Sequence, residues 1–183
     1  MIHSRQRAAV CITVSALLFL LVSAANAVPA KTFVSKRYAY SLVLPGNSSR
    51  WASHLAIANW SSDSIGGIGA PAIDTFSDLL TGRSYLLGAR PTGSSLDQWT
   101  KFVVSARSSV CGAPKSVEKS SLGGAAARVV TWSCTDGYRV MTIAALHAKR
   151  GYFMLVASPT VLSRTSNLHA FDAARRSFHF LKT

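Results

Sequence analysis

The sequence predicts an α+β domain in which helices flank a mostly antiparallel sheet. Its strands and helices come in an order typical of that class, with strands, a helix, an antiparallel meander and a final helix. Of the 183 residues, 49% are hydrophobic and 15% are charged. This composition supports a packed core and excludes a disordered chain.

Three strands are predicted before the first helix. Residues 38–44 alternate bulky and small side chains and end at a Pro-Gly turn, and residues 54–60 form a second apolar run. Residues 84–89 give the third strand. Between them, the Ser- and Gly-rich residues 61–72 predict the most flexible loop of the domain, and residues 74–80 predict a short helical turn.

The clearest helix begins near Leu96. Two pairs with capping-box spacing mark its start, Ser94 with Asp97 and Ser95 with Gln98, and a Cys-Gly pair marks its end. Apolar side chains recur at spacings of three and four, which places them on one face. They are Leu96, Trp99, Val103, Ala106 and Val110.

A three-stranded meander and a last helix complete the domain. Residues 126–134 and 138–147 form a hairpin through Asp136-Gly137, and residues 152–158 form the third strand. Both faces of these strands are largely apolar, so we expect the sheet to be covered on both sides. The last helix begins near Thr165 or Ser166, and residues 178–180 follow it as an extended segment. Its apolar face is predicted to contain Leu168, Phe171, Ala174 and Phe178.

Short motifs in this order resemble the PsbP-like family. They are YSLVLPG at 40–46, SLDQW at 95–99, the strand from Gly124 to Trp132, GYFML at 151–155, and Phe171 with SFHF at 177–180. The resemblance implies an α/β-sandwich fold and a binding or assembly role. It supplies no shared catalytic residues.

Residues 1–27 have the features of a cleaved secretory signal peptide. Arg5 and Arg7 precede an apolar run over residues 8–22, and Ala25-Asn26-Ala27 fits a signal-peptidase site. We expect residues 28–183 to form one exported domain, periplasmic or secreted, with no stable membrane span after cleavage. The alternative is an uncleaved anchor, because about 20 apolar residues can cross a bilayer.

Removal of this segment leaves two cysteines, Cys111 and Cys134. In an exported protein a single pair of cysteines predicts a disulfide. The alternative is a reactive cysteine with His147 as its base.

No catalytic or metal-binding motif stands out, so we expect neither an enzyme nor a cofactor. The histidines lack the paired spacings of a zinc site, and the sequence contains no G-x-S-x-G motif. The alternative function is a secreted hydrolase that uses His54 or His147 with a serine near the Gly-rich residues 61–72. The histidines of residues 28–183 are His54, His147, His169 and His179.

Charge gives the most informative functional prediction. Because residues 1–27 contain two of the 20 basic side chains, the rest of the chain has 18 against 7 acidic ones. This predicts an exported, monomeric accessory or binding protein that contacts an anionic envelope component or an acidic protein. The cations are too scattered to indicate specific nucleic-acid binding. Adjacent basic residues occur at 36–37, 149–150 and 175–176, and the candidate anion-binding residues are Lys149, Arg150, Arg175 and Arg176.

Trp51 and Trp60 flank the second predicted strand beside the Gly-rich loop. If exposed, they would be ligand-facing aromatics that stack on a sugar or enter a membrane interface. If buried, they would belong to the core.

Overall fold

The structure, a computed structural model, describes residues 30–182, and the predicted signal peptide therefore lies outside the described residues. The strands are β1 Ala30–Ser35, β2 Tyr40–Pro45, β3 Trp51–His54, β4 Asp74–Asp78, β5 Ser84–Pro91, β6 Ser116–Leu122, β7 Ala125–Ser133, β8 Tyr138–His147, β9 Arg150–Pro159 and β10 His179–Phe180. The helices are α1 Leu96–Cys111 and α2 Arg164–Ser177, and a short 3-10 helix covers Ser48–Arg50.

The strands form two antiparallel sheets. The larger sheet has seven strands in the order β3-β4-β5-β9-β8-β7-β6, and the smaller has three in the order β1-β2-β10. All neighbours in both sheets run antiparallel. The predicted α+β class with a mostly antiparallel sheet is confirmed.

Both faces of the large sheet are covered, as predicted. Alternation along β9 places Gly151 and Tyr152 on opposite faces. On one face, the Trp99 ring of α1 packs directly over Gly151. On the other face, Phe180 of the small sheet packs on Tyr152 with ring centroids 4.8 Å apart. The result is a sandwich with α1 on one side and the small sheet on the other.

Helix α1 has the predicted start and end. Of the two capping-box pairs, the structure contains Ser95 with Gln98, whose side chains and backbone amides bond reciprocally. The carboxylate of Asp97 instead pairs with Arg128 on β7, at 3.0 Å. A disulfide joins Cys111 at the end of α1 to Cys134, which follows β7. The predicted disulfide is therefore confirmed.

Two predictions between residues 50 and 80 are wrong. The second strand covers Trp51–His54, and residues 55–60 are loop. Their backbone is bonded within the loop, where the amide groups of Ile57 and Ala58 both donate to the carbonyl of Pro71. The segment Asp74–Asp78 is strand β4 and not a helical turn, because it pairs with β3 on one side and β5 on the other.

Helix α2 is rotated relative to its predicted apolar face. Leu168 is 39% exposed, whereas its neighbour Asn167 is buried with Phe171 and Ala174. Asn167 accepts a hydrogen bond from the buried guanidinium of Arg83. This polar contact, which is long-range in sequence, thus outweighs the local apolar periodicity in setting which face of α2 is buried. The extended segment after α2 forms β10 and pairs with β2.

Candidate functional site

An open pocket lies between the β1–β2 hairpin and the loop that follows β3. Its volume is about 620 Å³. Apolar side chains and basic side chains both line it, and none of the lining residues is acidic. They are Val34, Ser35, Lys36, Arg37, Leu55, Ala56 and Asn59.

Arg37 holds one wall of this pocket in place. Its Nε donates to the carbonyl of Ala56 at 3.1 Å, and its Nη2 donates to the carbonyl of Ile57 at 2.8 Å. Its Nη1 donates to Oδ1 of Asn59 at 2.8 Å. All three acceptors are neutral, and none of the ion pairs among residues 30–182 involves Arg37. The guanidinium therefore fixes the loop and keeps a charge that no carboxylate neutralises.

A buried polar pair, Asp74 and Tyr40, also anchors this loop. Asp74 is fully buried and accepts hydrogen bonds from the Tyr40 hydroxyl at 2.7 Å and from the Ala56 amide at 2.6 Å. Burial raises the pKa of Tyr40 well above its usual value, and the negative charge of Asp74 raises it further. Tyr40 thus stays protonated and able to donate. The pair connects the small sheet to β4 and positions Ala56 at the pocket.

Lys149 lies in the turn between β8 and β9, and Arg150 is the first residue of β9, next to the pocket residue Arg37. Arg150 donates from Nη1 to the carbonyl of Arg37 at 3.3 Å, and its guanidinium lies 5.8 Å from the ring centroid of Tyr38. Lys149 is exposed and has φ of 58°, a left-handed conformation that turns the chain between the two strands. Of these two candidate anion-binding residues, Arg150 thus contacts Arg37 directly.

Arg175 and Arg176 lie in the last turn of α2. Arg175 pairs with Asp172 at 3.2 Å and donates to the carbonyl of Ser121 on β6 at 3.4 Å. Arg176 is exposed.

A series of contacts connects the turn after β6, next to Arg175, with the end of β8, next to Lys149. The His147 ring, at the end of β8, stacks on Phe180 with ring centroids 4.0 Å apart. Phe180 in turn packs against Gly123, in the turn after β6. We group the three adjacent basic pairs of these segments under one name, the basic rim; they are Lys36, Arg37, Lys149, Arg150, Arg175 and Arg176.

Both candidate ligand-facing tryptophans are buried. Trp51 donates from its indole to the carbonyl of Pro45 at 2.8 Å, and Trp60 donates to the carbonyl of Ser64 at 3.0 Å. Trp60 also packs edge-on against Phe153, with centroids 4.8 Å apart. Of the two alternatives from the sequence, the structure shows core residues.

The histidines of the hydrolase alternative lie apart. His54 ends β3 and pairs with Thr75 of β4, whereas His147 stacks on Phe180. Within residues 30–182, no ion pair joins an imidazole to a carboxylate, and the buried Nε2 of His54 has no hydrogen-bond partner. The same residues contain no cluster of three or more metal-ligating side chains. No helix in this part of the chain is both long enough and apolar enough to cross a bilayer.

Sequence reasoning missed the pocket. It identified Lys36-Arg37 as an adjacent basic pair but assigned no site to it. The acceptors of Arg37 lie 19 to 22 residues further along the chain. No local pattern reveals such contacts, although the cluster of Lys, Arg and Tyr at 36–40 is visible in the sequence.

Two solved structures share this architecture. Neither a protein-family model nor a curated protein matches the sequence. Cyanobacterial PsbP (CyanoP) from Synechocystis sp. PCC 6803 matches with a TM-score of 0.58 and 11% identity, over 85% of this chain and 95% of that one. LpqN of Mycobacterium tuberculosis matches with a TM-score of 0.53 and 10% identity, over 86% and 93%. The chain therefore has the PsbP-like fold that its motifs predicted.

Proposed function

We propose that this chain is an exported, non-enzymatic accessory protein of the cell envelope, and that its basic rim contacts an anionic partner. LpqN, which shares the fold, is a protein involved in cell envelope biogenesis. The disulfide between Cys111 and Cys134 fits an oxidising compartment outside the cytoplasm. Both observations support an accessory role in the envelope at a coarse level.

The observation that carries the proposal is that basic side chains outnumber the acidic side chains that could pair with them. Residues 30–182 contain all 18 basic and all 7 acidic side chains that follow residue 27. Four of these carboxylates are bonded to arginines, and Asp74 is buried against Tyr40. Among residues 30–182, Arg175 is the one member of the basic rim in an ion pair, with Asp172, and the other five members are cations outside any such pair. This surplus creates a positive potential that attracts polyanions.

Salt-dependent binding tests this proposal. The full chain would be expressed in a host that exports it and purified in the form that this host accumulates. The purified protein would then be titrated with vesicles of phosphatidylglycerol and with poly-glutamate. We expect binding to at least one probe at about 50 mM salt, and a large loss at about 500 mM, because screening shortens the reach of surface charges. Binding that ignores salt, or no binding to either probe, would contradict the proposal.

Matched variants test the role of the basic rim. One variant neutralises three exposed rim residues: Lys36→Gln, Lys149→Gln and Arg176→Gln. The control removes the same charge elsewhere on the exposed surface: Lys101→Gln, Lys115→Gln and Lys119→Gln. We expect the rim variant to lose about tenfold or more in affinity, which corresponds to about 1.4 kcal/mol. An equal loss in both variants would show that net charge, and not the rim, determines binding.

A further inference from the structure

We propose that the anionic partner is an extended acidic polypeptide segment that adds to the edge of β1 as a further strand and lies across the pocket. This inference rests on the proposed function and specifies its partner and its site.

The first observation is the open edge of β1. In the small sheet β1 has one neighbour, β2, and within residues 30–182 no strand pairs with its other side. An edge strand presents backbone N–H and C=O groups that an incoming strand can satisfy. Along β1, Phe33 and Ser35 are buried, whereas Thr32 and Val34 are exposed. The strand therefore has the regular alternation that a paired partner needs.

The second observation is that the pocket continues this edge. Val34 and Ser35, at the end of β1, line the pocket together with Leu55 and Ala56 of the facing loop. Val34 and Leu55 are each 45% exposed. A strand added beside β1 would cover these two apolar side chains and remove them from water.

The third observation is the charge at this edge. Lys31 lies near the start of β1, and Lys36 and Arg37 follow its end. No acidic residue lines the pocket. Acidic side chains on the incoming strand would meet these cations. A second copy of β1 would bring no carboxylate to these cations, because residues 30–37 contain no acidic side chain.

The edge of β1, unpaired within residues 30–182, favours a polypeptide over a phosphate-bearing lipid or polymer, since only a polypeptide supplies a matching row of amide and carbonyl groups. Each of the three guanidinium nitrogens of Arg37 already donates to an oxygen of the loop. These bonds use three of the five guanidinium N–H groups, so Arg37 fixes the loop and remains a cation that either a carboxylate or a phosphate can approach. The backbone groups along the edge of β1, in contrast, match the repeat of another strand.

Peptide titration tests this inference. The probe is a peptide of about ten residues that alternates valine and glutamate, a length typical of a strand. One control replaces glutamate with lysine, and another carries N-methyl groups on alternate amides. We expect the acidic peptide to bind the full chain and to slow amide hydrogen exchange in β1. We expect the lysine peptide not to bind, and the N-methylated peptide to bind about tenfold or more weakly.

Two valines on edge strands provide matched variants. Val34 lies on β1 and is 45% exposed, and Val117 lies on β6, at the edge of the large sheet, and is 50% exposed. We expect Val34→Asp to weaken peptide binding about tenfold or more and Val117→Asp to leave it unchanged. Circular dichroism of both variants checks that they fold. If Val34→Asp does not fold, Lys36→Glu provides the same comparison against Lys119→Glu.

The outcomes separate this inference from the proposed function. Salt-sensitive binding of phosphatidylglycerol vesicles without binding of the acidic peptide would overturn the inference and leave the proposed function standing. Peptide-induced protection in β6 or α2 instead of β1 would also overturn it. Absence of binding to vesicles, poly-glutamate and peptide alike would overturn both.

Discussion

Residues 84–159 and residues 51–83 are stabilised by different kinds of interaction. In residues 84–159, five consecutive neighbours of the large sheet form a continuous ladder, with Trp99 of α1 packed over it. Residues 51–83 contain only the short strands β3 and β4, and the loop between them is held by polar side chains together with the buried Trp60. Arg37 and Asp74 bind the loop, and Arg50 binds Asp78 at the end of β4.

This difference explains where sequence-based prediction works. In residues 84–159, a capping box, an Asp-Gly turn and strict periodicity lie next to the elements that they specify. In residues 51–83, the decisive partners are far apart in sequence, with a separation of 18 residues from Ala56 to Asp74 and of 28 from Arg50 to Asp78. Local patterns do not reveal such contacts, and both wrong element predictions fall in this region. Outside it, strands β1 and β6 were not predicted.

The largest expected effect is the removal of Trp99. Trp99 is fully buried over Gly151, and its indole donates to the carbonyl of Tyr152 at 2.8 Å. We expect Trp99→Ala to lower the free energy of unfolding by about 3–5 kcal/mol, measured by urea denaturation. The control is Leu168→Ala, at an exposed position of α2, with an expected loss of less than about 1 kcal/mol. Equal losses would contradict the dominance of the apolar core in residues 84–159.

The disulfide gives the next largest effect. It joins α1 to the end of β7 across 23 residues of sequence. Loss of this crosslink lets the unfolded chain gain entropy, so we expect Cys111→Ser with Cys134→Ser to cost about 3 kcal/mol. Thermal unfolding with and without reductant gives the same comparison in the unmodified chain. A melting temperature that does not respond to reductant would contradict the prediction.

The pH dependence of stability tests the contribution of Asp78 to residues 51–83. Burial alone would raise the pKa of Asp78, but hydrogen bonds from Arg50 and Thr81 outweigh it and lower the pKa from 3.8 to about 2. The folded state therefore favours the carboxylate. This stabilisation is present above pH 3.8 and is lost as pH falls towards about 2.

We expect Asp78→Asn to cost about 2 kcal/mol at neutral pH and to flatten the dependence of stability on pH in this window. Denaturant midpoints measured at several acidic pH values give both quantities. A variant with the same acid dependence as the original chain would exclude Asp78 as its source.

The smallest global effect is expected for Arg37→Ala. The side chain is exposed, and its hydrogen bonds fasten only the loop at residues 56–59. We expect a loss of about 1 kcal/mol in global stability, together with much faster amide hydrogen exchange in this loop. Unchanged exchange there would show that the loop is held without Arg37, by the Asp74 pair, the bonds to Pro71 and the buried Trp60. The contrast with Trp99→Ala would separate local anchoring from global packing.

Much of the fold could be predicted from sequence, and the site only in part. Motifs such as SLDQW and GYFML identified the PsbP-like fold, which the structural likenesses confirm. Lys149 and Arg150 were selected from the sequence, and Arg150 bonds to Arg37 at the pocket. Their anion-binding role stays a prediction, as do the export signal and the non-enzymatic function. The pocket itself was missed because Leu55 and Asn59 become its wall only when Arg37 binds their loop.

Sequence by itself determined the class of the fold, the helix boundaries, strands β7 to β9 of the meander and the cysteine pair, because each depends on periodicity, capping or residue type within a short stretch. Only the tertiary structure decided that Asp74 anchors a loop, that Asn167 and not Leu168 is buried in α2, and that Arg150 bonds to Arg37 across 113 residues of sequence. The physical reason is the distance along the chain over which each interaction acts. Apolar patterning and turns act between near neighbours, whereas hydrogen bonds to buried polar groups and the gathering of charges depend on which distant segments the fold brings together.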